Sequence, residues 1–143
     1  MLVSQIIKQK GGSVFTVSPD LTLAAAAREL NERGVGALVV LDGARVGGIL
    51  SERDIVRELA TTGEGALSSP VSTAMTRDVI SASPQETVDA LLGRMTDRRV
   101  RHLPVISRDG ELCGLVSIGD LVKHKISEVE AEAQTLKNYI AAG

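Results

Sequence analysis

The chain has 143 residues, with 16 basic and 18 acidic side chains and a net charge of −2 at neutral pH. This balance argues against bulk binding of nucleic acid, and Phe15 and Tyr139 are the only aromatic residues available for stacking on bases. The single cysteine, Cys113, allows no intrachain disulfide. No run approaches the roughly 20 apolar residues of a membrane helix, and no signal-peptide pattern opens the chain. We expect a cytoplasmic protein without a nucleic-acid or membrane partner.

The first half predicts the order strand, helix, strand, strand, helix. A short strand over residues 14–17 precedes Ser18 and Pro19, which suit a helix cap and a first turn, and a helix over residues 20–33. Apolar runs at residues 37–41 and 46–50 flank Asp42-Gly43, a hairpin pair. A second helix is expected near Ser51. The polar residues 61–70 predict a surface loop.

The second half predicts the same order. Strands are expected at residues 79–81, 103–106 and 112–116, with a hairpin turn at Asp109-Gly110. A helix over residues 85–97 follows Ser83-Pro84. The last helix begins near Ser117 and runs on to Ile140, with an apolar stripe at mostly three- and four-residue spacing.

These matching orders reflect an internal repeat. The segment Gly48 to Asp54, GILSERD, recurs 66 residues later as Gly114 to Asp120, GLVSIGD. We place the first repeat, with its N-terminal segment, at residues 1–69 and the second, with its C-terminal helix extension, at residues 70–143. A repeat of this size buries too little surface to be stable alone, so the two are expected to pack together.

The shared motif, Gly, two aliphatic residues, Ser, any two residues and Asp, has two compatible interpretations. Ser followed by Asp three positions later forms a capping box at a helix start. The same free N–H groups and hydroxyl suit a phosphate or ribose, and a first-turn Asp can accept two hydrogen bonds from a ribose diol. A glycine at the strand end permits close approach of another molecule.

The repeated motif, together with the segment Arg101 to Val105, RHLPV, resembles the tandem CBS domain, named for cystathionine β-synthase. The resemblance covers about residues 3–126 and is nearest to stand-alone bacterial CBS-pair proteins. It implies an α/β fold of two CBS repeats packed with pseudo-two-fold symmetry. It also implies binding of adenosine-containing ligands in clefts between the repeats, with Asp54 and Asp120 on ribose and Ser51 and Ser117 beside them.

The resemblance implies further ligand-binding residues. Adenine would lie against the opening strand and the strand before the turn, at Val14, Thr16 and Ala37 in the first site and at Ile80, Ser81, His102 and Pro104 in the second. Arg53 and Arg101 are candidates for phosphate because a guanidinium offers forked donors. Residues 36–39 lack the Arg-His-Leu-Pro of their counterpart, so the two sites are not expected to be equivalent.

The basic stretch from Arg98 to His102 has a second interpretation as a solvated edge that protects the sheet. If it were a strand, alternation would place Arg99 and Arg101 on one side and His102 on the other. We expect Arg101 and His102 to reach ligand and Arg99 to be solvated.

The leading hypothesis is a regulatory, ligand-sensing module and not an enzyme, because no nucleophile, base or metal set is apparent. It would bind AMP, ATP or NAD(H), with S-adenosylmethionine also open, and would require no cofactor. A structural or assembly domain without a small-molecule ligand is the main alternative, and a small nucleotide-converting enzyme is a weaker one. We expect a homodimer in which two chains form a four-repeat disc.

Overall fold

The computed structural model describes residues 1–11 and 14–142, which form two compact units. One unit is Val14–Ile80, and the other joins residues 1–11 to residues 81–142. Each unit therefore combines most of one repeat with the short segment that begins the other repeat. The repeat boundaries at residues 1–69 and 70–143 stay a prediction about the sequence.

The unit Val14–Ile80 is a three-stranded sheet with two helices. Strand β2 lies between its neighbours, parallel to β1 and antiparallel to β3, and Thr16 pairs with Val39. The elements are β1 (Thr16–Val17), α2 (Leu23–Arg33), β2 (Ala37–Asp42), β3 (Arg45–Ser51) and α3 (Glu52–Thr62). The apolar faces of the helices and sheet form one core, of Val17, Leu23, Ala26, Leu30, Leu38, Val40, Leu50, Ile55 and Val71.

The second unit repeats this plan with a shorter sheet and a longer last helix. Its elements are α1 (Val3–Lys10), α4 (Val88–Arg98), β4 (His102–Ile106), β5 (Leu112–Ser117) and α5 (Ile118–Ala142). Strands β4 and β5 are antiparallel, and His102 lies opposite Ser117. Buried apolar side chains come from every element: Val3, Ile6, Val88, Leu91, Met95, Leu103, Val105, Val116 and Leu121. Within the described residues, no helix is long and apolar enough to cross a membrane.

Both predicted hairpin turns and the long last helix are confirmed. Gly43 and Gly110 adopt positive φ angles of 65° and 84°, the conformation that glycine tolerates. The predicted helix starts are wrong, because the first helix of each repeat begins three residues later than expected. Thr22 and Thr87 are the caps and accept hydrogen bonds from the N–H groups of Ala25 and Ala90. Ser18 instead forms a turn by accepting the N–H of Asp20.

The strand predicted at residues 79–81 is absent. Ala82 alone pairs with Val105, and its N–H donates to the carbonyl of Pro104 at 2.9 Å. Turns on both sides stop the ladder, since the Val79 N–H bonds the Arg77 carbonyl and the Glu86 N–H bonds the Ser83 carbonyl. The second sheet therefore holds two regular strands where three were expected.

The segment between the repeats is more than a surface loop. Residues Glu64–Ser68 and Val71–Thr73 form short 3₁₀ helices, and Ala66 and Val71 are fully buried. The polar composition of residues 61–70 did not indicate a buried position, because Ala66 is a single small apolar residue among exposed neighbours.

The glycine at the start of each motif is required by packing within its own unit. A Cβ on Gly48 would lie 2.8 Å from the carbonyl oxygen of Thr76 and 2.9 Å from the sulfur of Met75. A Cβ on Gly114 would collide with the δ-methyl of Ile7 in α1. The expectation that these glycines admit another molecule is wrong at the glycine Cα atoms, because Met75 and Thr76 fill that space at Gly48 and Ile7 fills it at Gly114.

Replacing Gly48 by Ala tests this packing. The Gly48→Ala variant should lose about 1–3 kcal/mol of unfolding free energy in urea denaturation, since the new methyl group meets a backbone oxygen that cannot move away cheaply. The matched control is Gly93→Ala in α4, where a Cβ would meet no atom within 4 Å. That change should be neutral or stabilising by up to about 1 kcal/mol. Equal effects of the two substitutions would contradict the packing role of Gly48.

Candidate functional site

Each motif serine lies at the point where a strand becomes a helix. The Ser51 N–H donates to Oδ2 of Asp54 at 2.9 Å, and the Asp54 N–H donates to Oγ of Ser51 at 3.3 Å. Ser117 and Asp120 repeat this pair of bonds at 2.9 and 3.1 Å. Both capping boxes are therefore formed, as the motif predicted.

Asp54 has a full set of donors. Oδ2 also accepts the hydroxyl of Ser51 at 3.1 Å, while Oδ1 accepts Nη1 of Arg57 at 3.1 Å and Oγ1 of Thr76 at 3.3 Å. These bonds use about four lone-pair positions, which is the capacity of a carboxylate. The side chain of Asp54 is only 3% exposed. This carboxylate is thus built into the structure of its unit.

Asp120 has a different environment. Its Oδ2 accepts the Ser117 N–H and also the ammonium of Lys10, whose Nζ lies 2.7 Å away. The side chain is 28% exposed. Burial raises the pKa of Asp120, but the hydrogen bonds and charge of Lys10 and the bonds from Ser117 outweigh it, so the pKa lies below its ordinary value of 3.8. Asp120 is therefore an ionised carboxylate that solvent can reach.

The other predicted residues of the first site lie in or next to the sheet of the unit Val14–Ile80. Ala37 is buried and lies directly opposite Ser51 in the β2–β3 pairing. Thr16 is exposed in β1, and Val14 is half-buried just before that strand. Arg53 is exposed in the first turn of α3. Ala37 and Ser51 are therefore neighbours across the strand pair.

The predicted residues of the second site, apart from Ile80, lie in the unit that contains α5. His102 is half-buried opposite Ser117, and Pro104 is buried two residues further along β4. Arg101 is exposed, and its carbonyl accepts the N–H of Ile118 at 2.8 Å. The carbonyl of Ser81 accepts Nη1 of Arg94 at 3.1 Å. Ile80 lies at the end of the other unit.

The basic stretch from Arg98 to Arg101 is not a strand. Helix α4 continues to Arg98, and Arg99 follows it in the left-handed conformation with φ of 55°, donating its N–H to the carbonyl of Met95. Strand β4 begins only at His102. The expected alternation of Arg99 and Arg101 on one strand face therefore does not apply, because the chain turns there.

Three contacts to the motif carboxylates escaped sequence analysis. Arg57 lies three residues after Asp54, which is helical spacing, so this partner had a signal in the sequence. Thr76 and Lys10 lie 22 and 110 residues from their carboxylates, and no local pattern connects them. In the described part of the chain, no group of three or more His, Cys, Asp or Glu residues could hold a metal ion.

The cause of the Asp120 pKa shift can be tested by NMR. In Lys10→Met, burial remains while the ammonium is removed, so the pKa of Asp120 should rise and the carboxyl should protonate at higher pH than in wild type. The stabilisation from a lowered pKa is present above about pH 4 and lost as pH falls through the lowered pKa. A ¹³C-carboxyl titration measures the shift. Lys125→Met, which removes the ion pair with Asp89, is the control and should leave Asp120 unchanged; an unchanged pKa in Lys10→Met would contradict the assignment.

Comparison with known proteins matches the repeat architecture. The CBS domain family model covers residues 3–61 and 71–127. A mitochondrial CBS domain-containing protein of Arabidopsis thaliana is 35% identical over 99% of this chain and 72% of its own length. A solved CBS-domain protein of Agrobacterium tumefaciens is 40% identical with a TM-score of 0.85, over 87% of this chain and 99% of that one.

A solved CBS domain protein of Pyrobaculum aerophilum in complex with AMP is 26% identical with a TM-score of 0.74, over 84% of this chain and 89% of that one. The family match extends over both halves of the chain, and the mixed α/β units repeat the predicted order of helices and strands. The chain therefore belongs to the CBS domain family and carries two CBS repeats.

Proposed function

We propose that this protein is a regulatory module that senses an adenosine-containing nucleotide, with the ribose held at Asp120. The observation that carries the proposal is the state of that side chain. Asp120 is an ionised, partly exposed carboxylate at a helix start, and it is paired with the partly exposed ammonium of Lys10. The Pyrobaculum relative was solved with AMP, which supports the same ligand class here. AMP, ATP and NAD(H) share the ribose and adenine that such a site would recognise.

The second repeat offers the better site. Asp54 already accepts donors on both oxygens and is buried, so a ribose diol would have to replace Ser51, Arg57 or Thr76. At Asp120, only the exposed side chain of Lys10 has to move. We therefore assign ligand binding first to Ser117 and Asp120.

The remaining residues fit roles around this centre. His102 faces Ser117 across the strand pair, and Pro104 provides a buried apolar surface on the same strand. Arg101 is exposed one residue before β4 and offers a forked donor for phosphate. Ile80 and Ser81 are proposed for adenine, and the first-site set of Val14, Thr16, Ala37, Ser51, Arg53 and Asp54 is proposed as a second, weaker site.

A structural or assembly role is the second candidate, because both Ser-Asp pairs are complete helix caps. A cap stabilises a helix by about 0.5–2 kcal/mol without any ligand. This alternative predicts stability effects but no nucleotide binding. We propose a regulatory and not a catalytic module. The motif supplies a carboxylate that binds ligand in each repeat, and the bound ligand is itself the signal.

Isothermal titration calorimetry with AMP separates the two candidates. Asp120→Asn keeps the shape of the side chain but removes its charge, and should weaken AMP binding by about tenfold or more, the effect of one or two hydrogen bonds to a charged group. The comparison variant is Asp54→Asn, which should lower the unfolding free energy by about 1–3 kcal/mol because buried donors lose their acceptor. Wild type that fails to bind AMP, or equal affinity in Asp120→Asn, would favour the structural role.

We also propose that the protein is a homodimer joined through α5. The helix carries an exposed apolar seam, of Val122, Ile126, Val129, Ala133, Leu136 and Ile140. Their spacing alternates between four and three residues, which is the a/d pattern of a two-stranded coiled coil. A second copy of the same seam is the natural partner, since a two-fold interface is self-complementary.

The charges beside the seam favour a parallel pair. With Ile126 at position a, Lys125 and Glu132 occupy g positions, while Glu130 and Lys137 occupy the following e positions. In a parallel dimer each g residue faces the next e residue of the partner helix, so both pairs have opposite charge. The sequence of α5 thus supports both the partner and its direction.

Sedimentation velocity tests the dimer. Leu136→Glu places a charge in the seam and should shift the protein from dimer to monomer at micromolar concentration, because burying an unpaired charge is costly. Asn138→Glu adds the same charge on the opposite side of α5 and should leave the dimer intact. A monomeric wild type, or a dimeric Leu136→Glu variant, would contradict the role of the seam.

A further inference from the structure

The motif carboxylates of the two units accept hydrogen bonds from chemically different donors at equivalent positions. In the unit Val14–Ile80, the Thr76 N–H donates to the carbonyl of Ile49 at 2.9 Å, and its hydroxyl donates to Asp54 at 3.3 Å. In the second, one ammonium makes both contacts. Nζ of Lys10 donates to the carbonyl of Leu115 at 2.8 Å and to Asp120 at 2.7 Å. Ile49 and Leu115 hold the same motif position, directly after the glycine.

The contact made by Lys10 is the one that can be released. Thr76 holds its position through a pair of backbone hydrogen bonds with Ile49, so its hydroxyl is fixed. Lys10 reaches Asp120 only through a flexible four-carbon side chain that is 41% exposed. It is the last residue of α1, and Ile7, one turn earlier, packs against Gly114 and keeps the helix in place. The ammonium can therefore leave while its backbone stays anchored.

We propose that Lys10 is a built-in counterion of Asp120 that the ligand displaces, and that it makes the site selective for adenosine ligands with an anionic phosphate. This inference rests on the proposed binding of ribose at Asp120. A diol that donates to Oδ2 takes the place of Nζ, because the Ser117 N–H and Nζ already occupy the two lone pairs of that oxygen. The displaced ammonium then lies within reach of whatever group is attached to the ribose.

The charge of that group decides the energetic outcome. A neutral nucleoside breaks the ion pair between Lys10 and Asp120 and gives the ammonium no new partner, so the affinity for the nucleoside is lowered. A 5′-phosphate gives the ammonium a new partner of higher charge, which offsets the loss. A cationic substituent, such as the sulfonium of S-adenosylmethionine, repels the ammonium. Lys10 should therefore rank the ligands as phosphate first, neutral nucleoside second and cation last.

Calorimetric titrations of AMP and adenosine into wild type, Lys10→Met and Lys10→Arg test the inference. Lys10→Met should bind adenosine more tightly and AMP more weakly, each by about tenfold, the size of one hydrogen bond to a charged group. Lys10→Arg keeps the charge and should keep the preference for AMP. Lys125→Met removes a lysine paired elsewhere in the same unit and should change neither affinity.

The outcomes separate this inference from the function on which it rests. Wild type that binds neither AMP nor adenosine overturns the proposed function and this inference with it. Wild type that binds, with the same ratio of AMP to adenosine affinity in Lys10→Met, overturns this inference alone. Equal weakening of both ligands also overturns it, since Lys10 would then only support the shape of the site. If Lys10→Met is unstable, Lys10→Gln provides the same comparison.

Discussion

The carboxylate at the start of each motif helix joins three parts of its unit. It accepts the backbone N–H of the serine that ends the strand, it caps the helix that follows, and it accepts a donor from the segment packed behind the motif glycine. Strand, helix and this packed segment therefore meet at one carboxylate in each unit. In both units, this junction connects the end of the last strand, the start of the second helix and the segment that packs on the motif glycine.

A duplicated junction allows the two copies to diverge. In the first, neutral donors and Arg57 surround Asp54 and solvent is almost excluded, so the carboxylate acts as a structural acceptor. In the second, the charge of Asp120 is balanced mainly by one partly exposed lysine, and the carboxylate itself is partly exposed. The Asp54 carboxylate is thus buried and fully bonded, whereas we propose that Asp120 exchanges its partner for a ligand. We predicted two inequivalent sites from residues 36–39. The different partners of Asp54 and Asp120 are a second, separate reason to expect this.

Much of the fold was predictable because local patterns determine it. The repeat, both hairpin turns and the long last helix follow from glycine conformation and apolar spacing. The helix starts were misplaced because Ser18 and Thr22 are both good caps, and only the turn that Ser18 makes with Asp20 decides between them. Lys10 could not be predicted, since it meets Asp120 across 110 residues after the N-terminal segment packs on the second repeat. Sequence reasoning found the motif carboxylates but not Arg57, Thr76 and Lys10, which donate to them.

The position of Asp120 also links the proposed site to the proposed dimer. Asp120 lies in the first turn of α5, and the apolar seam continues along the same helix from Val122 to Ile140. No Pro or Gly interrupts the helix after Gly119, so nothing in its sequence favours a kink between the two regions. When a ligand replaces Lys10, the helix loses one tie to α1 while its cap from Ser117 remains. On these two proposals, ligand occupancy would change what holds the beginning of α5, the helix that would contact the second copy.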